Sequence, residues 1–144
     1  MKFDYQIKHR KGSDNTKEQN SCDFTINNDS LLETIIKLDG GHDDFIGCFA
    51  KEWTLLNKHS RTQLLLKEEA ETESGRSLLY LCPECADIGC GAYGCKIVKI
   101  NNQYIWSDFA YENGYEEPKL IQNLGPFIFE AYDYEILIDK LSLL

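Results

Sequence analysis

The stretch from Leu78 to Cys95, LLYLCPECADIGCGAYGC, constrains this chain more than any other, because it sets four of the six cysteines at close intervals between two β-like runs. Neighbouring cysteines are separated by two, four and four residues, a C-x2-C-x4-C-x4-C frame over Cys82, Cys85, Cys90 and Cys95. Zinc takes four tetrahedral Cys or His ligands, and C-x2-C presents two of them from a single turn. The frame leads to two competing expectations: one structural zinc on those four residues, or no metal and small buried hydrophobes beside tight glycine turns. Cys95 weighs toward the second, since it shares strand parity with Ile97, and that parity turns it into the core.

The spacing is similar to that of retroviral-type zinc knuckles, with Cys90 at their histidine position and Gly89 before it. Knuckles bind single-stranded nucleic acid through basic and aromatic residues, whereas Glu84 and Asp87 make this cluster acidic, so that function is not expected. A redox C-x-x-C couple lowers its first thiol's pKa with a helix that starts there, and Ala86 to Gly91 is poor helix material. A nucleophilic cysteine needs a partner base, and His9, His42 and His59 all lie in polar segments. His42-Asp43-Asp44, beside Gly40-Gly41, reads as a solvated turn.

The chain has 144 residues, which suits one domain. A chain of that size buries roughly 70% of its unfolded surface and needs no covalent staple. With 42% hydrophobic and 12% aromatic residues it is not a disordered chain, and its Tyr, Phe and Trp favour sheet. Met1 to Tyr5 alternates apolar and polar without the apolar core of a signal peptide, and no run approaches the ~20 apolar residues of a membrane span. The expected compartment is therefore the cytoplasm, where thiols stay reduced and a cysteine cluster is more often metal-binding or buried than a disulfide framework. A net charge of −9 repels phosphate backbones and anionic lipid, which excludes nucleic acid and membrane as partners and favours a basic protein.

Along the chain, Phe3, Tyr5 and Ile7, and then Cys22, Phe24 and Ile26, alternate with polar residues and predict strands, the second closed by Asn27-Asn28-Asp29. Ser30-Leu31-Leu32-Glu33 has capping-box spacing and opens a helix over 30–39, stopped by Gly40-Gly41. Residues 42–61 fit neither period and predict only partial burial. Gln63 to Lys67 and Ser77 to Leu81 read as strands joined by the acidic 68–76 connection, and Cys95 to Ile100 pairs with Tyr104 to Phe109 through an Asn101-Asn102 hairpin. Ala110 to Pro118 reads as an exposed acidic and aromatic loop, Phe127 to Phe129 as a short strand, and 133–143 as a helix. The expected fold is a single α+β domain, mainly antiparallel sheet packed by two amphipathic helices.

Leu81-Cys82-Pro83-Glu84-Cys85-Ala86-Asp87-Ile88-Gly89-Cys90-Gly91, Trp106-Ser107-Asp108-Phe109 with Glu112-Asn113, and Leu124-Gly125-Pro126-Phe127 resemble a group of small bacterial proteins, some labelled oxidoreductases. The chain departs from that pattern at Ala86, where a glycine is expected, and at Cys95, which the pattern does not require. The resemblance implies a cytoplasmic bacterial domain with a fixed cysteine and glycine turn, and carries no activity. The functional expectation is a small acidic binding protein, of the type of an immunity protein that neutralises a basic toxin or nuclease. Its expected partner surface is Trp106, Asp108, Tyr111, Glu112, Tyr115, Glu116 and Glu117, where aromatics anchor and carboxylates mimic phosphate. The alternative is a cysteine-dependent oxidoreductase or a structural zinc domain.

Overall fold

Short polar turns between alternating runs fold this chain into hairpins, seen in a computed structural model that describes residues 1–14, 16–86 and 88–144. The elements are β1 (Phe3–Arg10), β2 (Gln19–Ile26), β3 (Asp29–Ser30), α1 (Leu31–Asp39), β4 (Ile46–Gly47), α2 (Thr54–Leu64) and β5 (Ser77–Leu81). A 3-10 turn (Ile88–Cys90) follows, then β6 (Ala92–Ile100), β7 (Gln103–Glu112), β8 (Lys119–Leu120), β9 (Phe127–Glu130) and α3 (Ala131–Leu141). Among the described residues all the strand pairs are antiparallel. One sheet runs β1-β2-β3 and the other β4-β5-β6-β7-β8, with β9 also on β7. The expected α+β architecture is therefore the observed one, with a third helix added. Among the described residues no helix is long and apolar enough to cross a membrane.

The turn residues act as their chemistry predicts. Asn27, Asn28, Asn101 and Asn102 all adopt positive φ, between 51° and 72°, which asparagine tolerates, and so close the β2-β3 and β6-β7 hairpins. Ser30 caps α1, its Oγ accepting the Glu33 N–H at 3.1 Å, and Gly40 ends it at φ 81°. A further acceptor at this helix start is Asp23 from β2, which takes the Leu32 N–H at 3.3 Å.

Two expectations are corrected, and one element is added where the sequence reading assigned none. Gln63 to Lys67 is not a strand: Gln63 and Leu64 end α2, and β5 pairs with β4 and β6 instead. Residues 54–64 form a helix that hydrophobic periodicity does not reveal, because its buried face includes Asn57, Ser60 and Gln63, three apart. Each of these is bonded: Asn57 to both backbone groups of Ala50, Ser60 to the Cys48 carbonyl, and Gln63 to the backbone of Glu69 and Glu71. The second correction is that Ala110 to Glu112 continues β7, leaving 113–118 as the loop.

Residues 46–51 join the two sheets. The Cys48 N–H donates to the Leu79 carbonyl at 3.0 Å on one side, and the Cys22 N–H donates to the Phe49 carbonyl at 2.8 Å on the other. Gly47 is required here, since a Cβ would overlap the Cys22 carbonyl. The core is aromatic: Trp106 stands edge-on to Phe3, Phe24 and Phe129, and its Nε1–H donates at 3.1 Å to the Tyr134 hydroxyl. That hydroxyl in turn donates to the Leu64 carbonyl at 2.8 Å, tying β7, α3 and α2 together.

Asp23, 4% exposed, accepts from Ser30 Oγ, Tyr80 Oη, Gln6 Nε2 and the Leu32 N–H. Removing it strands several buried donors at once, and each costs about 1–3 kcal/mol. Asp23→Ala is expected to lose about 3 kcal/mol in urea unfolding, whereas the exposed Asp4→Ala should stay within about 0.5 kcal/mol of wild type.

Candidate functional site

Leu81 and Ala92 face each other across β5 and β6, so residues 82–91 are the connection of that hairpin. Pro83 to Cys85 turns, Ala86 takes φ 52° with its N–H donating to the Cys82 carbonyl at 2.8 Å, and Gly91 re-enters the sheet at φ 99°. Gly91 has no alternative, because a Cβ would run into the Tyr111 ring. This path folds the connection back on itself and gathers the Cys82, Cys85 and Cys90 sulfurs within 4.8 Å of one another, where they could hold a metal ion. Cys85 and Cys90 are joined as a disulfide, S–S 2.08 Å, and Cys82 is a partly exposed free thiol beside them. The expected cytoplasmic location favoured a metal-binding, catalytic or buried cluster over a disulfide, and the structure instead pairs Cys85 with Cys90.

Cys95 does not belong to the group. It lies in β6 opposite Ser77, five residues of strand from Cys82, or roughly 16 Å at about 3.3 Å per residue, and is fully buried. The four-cysteine frame is thus a three-cysteine site, corrected by strand direction. Burial pushes the Cys95, Cys22 and Cys48 thiols up, so they stay protonated inside the core.

The cysteines border a cleft of about 180 Å³ that Cys82 and Cys90 share with His42, Phe45 and Tyr111. It adjoins a second cleft of about 340 Å³, also lined by His42, Phe45 and Tyr111, which continues to Asp39, Glu116 and Lys119. The sequence reading left His42 and Phe45 out of the site, and no spacing signal places them there. The His42 ring stacks on Phe45 at 5.1 Å, and its Nδ1 accepts the Asp44 N–H at 3.1 Å, which leaves the proton of the neutral ring on Nε2. Further along, Asp39 accepts from the Tyr93 hydroxyl at 2.7 Å and from Lys119 at 2.9 Å. Burial pushes the Asp39 carboxyl up, but these two donors outweigh it and hold it below its ordinary value.

The expected partner surface divides. Trp106 is fully buried and bonded to Tyr134, so it is a core residue; it shares the inner face of β7 with Tyr104. Glu112 is also buried, with Oε1 accepting from Ser74 Oγ at 2.8 Å and Arg76 Nη1 3.9 Å from Oε2. Among the described residues its Oε2 has no hydrogen-bond partner. Asp108 sits at a bulge with φ 52°, beside Lys96, and lines a separate depression with Ser107 and Asn123. Tyr111 is half-buried as a wall of the first two clefts. Tyr115, Glu116 and Glu117 are exposed, Tyr115 at 84%, and Asn113 Oδ1 holds their loop by accepting the Tyr115 and Glu116 N–H groups at 3.0 Å.

Beyond that loop lies a third cleft, of about 670 Å³, lined by Glu71, Glu73, Ser74, Glu112, Tyr115 and Glu116. Glu71 and Glu73 come from the acidic connection before β5, which the sequence alone does not place against the 113–118 loop. Burial raises the Glu71 carboxyl, and His59, 2.6 Å away, pulls it back.

Alkylation separates the two classes of cysteine. Native unreduced protein is expected to take label on Cys82 alone, and reduced native protein on Cys82, Cys85 and Cys90, read by intact mass and peptide mapping. Labelling of native Cys95 at the Cys82 rate would contradict its burial. Compared with known proteins, the chain matches no family model, no curated protein and no solved structure.

Proposed function

We propose that the protein is a small acidic binding protein that engages a basic protein partner through the face formed by residues 71–74 and 113–117. The observation that carries this reading is Tyr115, 84% exposed at the rim of a cleft that Glu71, Glu73, Glu116 and Glu117 line. A large aromatic ring held out in water on an otherwise acidic edge is the composition of an interface anchor with a charged rim. The net charge of −9 steers such a surface toward a cationic patch and away from phosphate and anionic lipid. An immunity protein that covers the phosphate-binding cleft of a basic toxin or nuclease is the biological form that fits this chemistry, and the cytoplasm is where it would act.

The test is capture from the producing cell on immobilised wild-type chain and on surface variants, followed by kinetics with the captured basic protein. Added salt is expected to slow association far more than it speeds dissociation. Glu116→Gln and Glu117→Gln should act on the on-rate, and Tyr115→Ala on the off-rate, costing about 2 kcal/mol. Capture of no basic protein, or equal kinetics on all three variants, would remove this reading.

A second reading is favoured by the sulfur geometry: with the disulfide reduced, Cys82, Cys85 and Cys90 hold one zinc that staples the 82–91 connection. Tetrahedral zinc with Zn–S of about 2.3 Å separates its sulfurs by about 3.8 Å; Cys82 already lies within 4.8 Å of the other two, and the Cys85 and Cys90 sulfurs, 2.08 Å apart in the disulfide, would have to separate to that spacing once reduced. A thiol oxidoreductase draws less support, because residues 83–85 form a turn and no helix begins at Cys82 to lower its pKa. One zinc per reduced chain by elemental analysis, lost in Cys85→Ser, is the expected result. Reduced protein free of zinc after incubation with it would dispose of the metal.

A further inference from the structure

We propose that a metal held by Cys82, Cys85 and Cys90 keeps a fourth coordination position open to the cleft lined by His42, Phe45 and Tyr111, so that the centre exchanges an external ligand. This rests on the zinc reading of the same cysteines and goes beyond it, since a structural zinc is a closed site and an open position is the mark of a reactive one.

Three observations carry it. First, the candidate for a fourth thiolate, Cys95, is buried in β6 and removed from the group, and among the described residues the sulfur group ends at three. Second, Cys85 and Cys90 are exposed, Cys82 is partly so, and Cys82 and Cys90 line the cleft, so solvent reaches this centre. Third, His42 shares the cleft but is not arranged as a ligand: its Nδ1 is taken by the Asp44 N–H, which keeps the proton on Nε2 and leaves no free lone pair on the ring. Ligation by His42 would have to break that hydrogen bond.

Charge then selects the ligand. Three thiolates around a divalent ion leave one net negative charge, within an acidic chain and with Glu84 on the same cleft, so an anion is disfavoured. The fourth ligand is a neutral donor, water at rest and an imidazole nitrogen when one is offered. Loading follows a balanced sequence. A dithiol reductant gives two electrons and two protons to the Cys85–Cys90 disulfide and becomes a disulfide itself. The three thiols then release their protons to solvent as the ion binds. The disulfide and the metal are alternative states of the same sulfurs, and the oxidised chain should take up no metal.

The experiment uses the whole chain, reduced, freed of reductant and loaded with one equivalent of Co(II), whose visible absorption reports coordination. Titration with free imidazole is expected to shift that absorption saturably while cobalt stays with the protein through gel filtration. Wild type, His42→Ala, Cys95→Ser and Asp87→Asn should give one spectrum before imidazole is added. An absorption unmoved by imidazole overturns the open position, and so does a starting spectrum changed in any of those three variants, which would identify a protein group as the fourth ligand. Failure of reduced wild type to take up either cobalt or zinc overturns the zinc reading as well, so the two failures are told apart.

Discussion

The backbone of residues 46–51 crosses the middle of the molecule, and the need to pair its buried polar groups is what the rest of the structure is built around. A buried N–H or carbonyl left unpaired costs as much as a lost hydrogen bond, and β4 covers only Ile46 and Gly47. The remainder is satisfied from both sides: Leu79 of β5 accepts from Cys48, Phe49 accepts from Cys22 of β2, and Asn57 of α2 brackets Ala50. Gly47 lets the strap approach β2 closely enough for this. Two sheets that would each expose an edge become a single interior, and His42 and Phe45, just before the strap, are carried to the cysteine cleft.

That strap also explains why the interior carries so much polar chemistry. Asn57, Ser60 and Gln63 sit on the buried face of α2 because each serves a backbone group in a neighbouring segment, and Asp23 serves the start of α1 and Tyr80 in the same way. Satisfied groups of this kind cost little when folded and a good deal when broken, so they specify one arrangement among several of similar hydrophobic content. Among the described residues Glu112 stands apart, with Oε2 lacking a hydrogen bond under the acidic cleft and Arg76 3.9 Å from it as an ion pair.

Legibility followed the same division. Elements whose signal is local were readable: the asparagine hairpins, the Ser30 cap, the Gly40 stop and the apolar stripe of α3. Helix α2 was not, because periodicity arguments count apolar residues and its buried face is largely polar. In the candidate site, Cys82, Cys85 and Cys90 were readable from spacing, since one short connection holds all three. Cys95 fits the spacing frame, which counts residues along the chain, but strand parity already turned it toward the core, and β6 carries its sulfur away from the turn. Trp106 and Glu112 were misassigned because an aromatic and acidic stretch reads the same whether its side chains face water or the core.

By itself the sequence determined the α+β class, the hairpins and helix caps, the sign of the charge and a cysteine-rich connection between two strands, because each depends on residues within about a turn or two of one another or on totals over the chain. Only the tertiary structure decided which aromatics face water, which cysteines share a site, and that the 40–45, 71–74 and 113–118 segments line neighbouring clefts. Those are contacts between residues far apart in the chain. They follow from strand pairing and from the backbone groups that had to be satisfied at the centre, and neither is written in any local spacing.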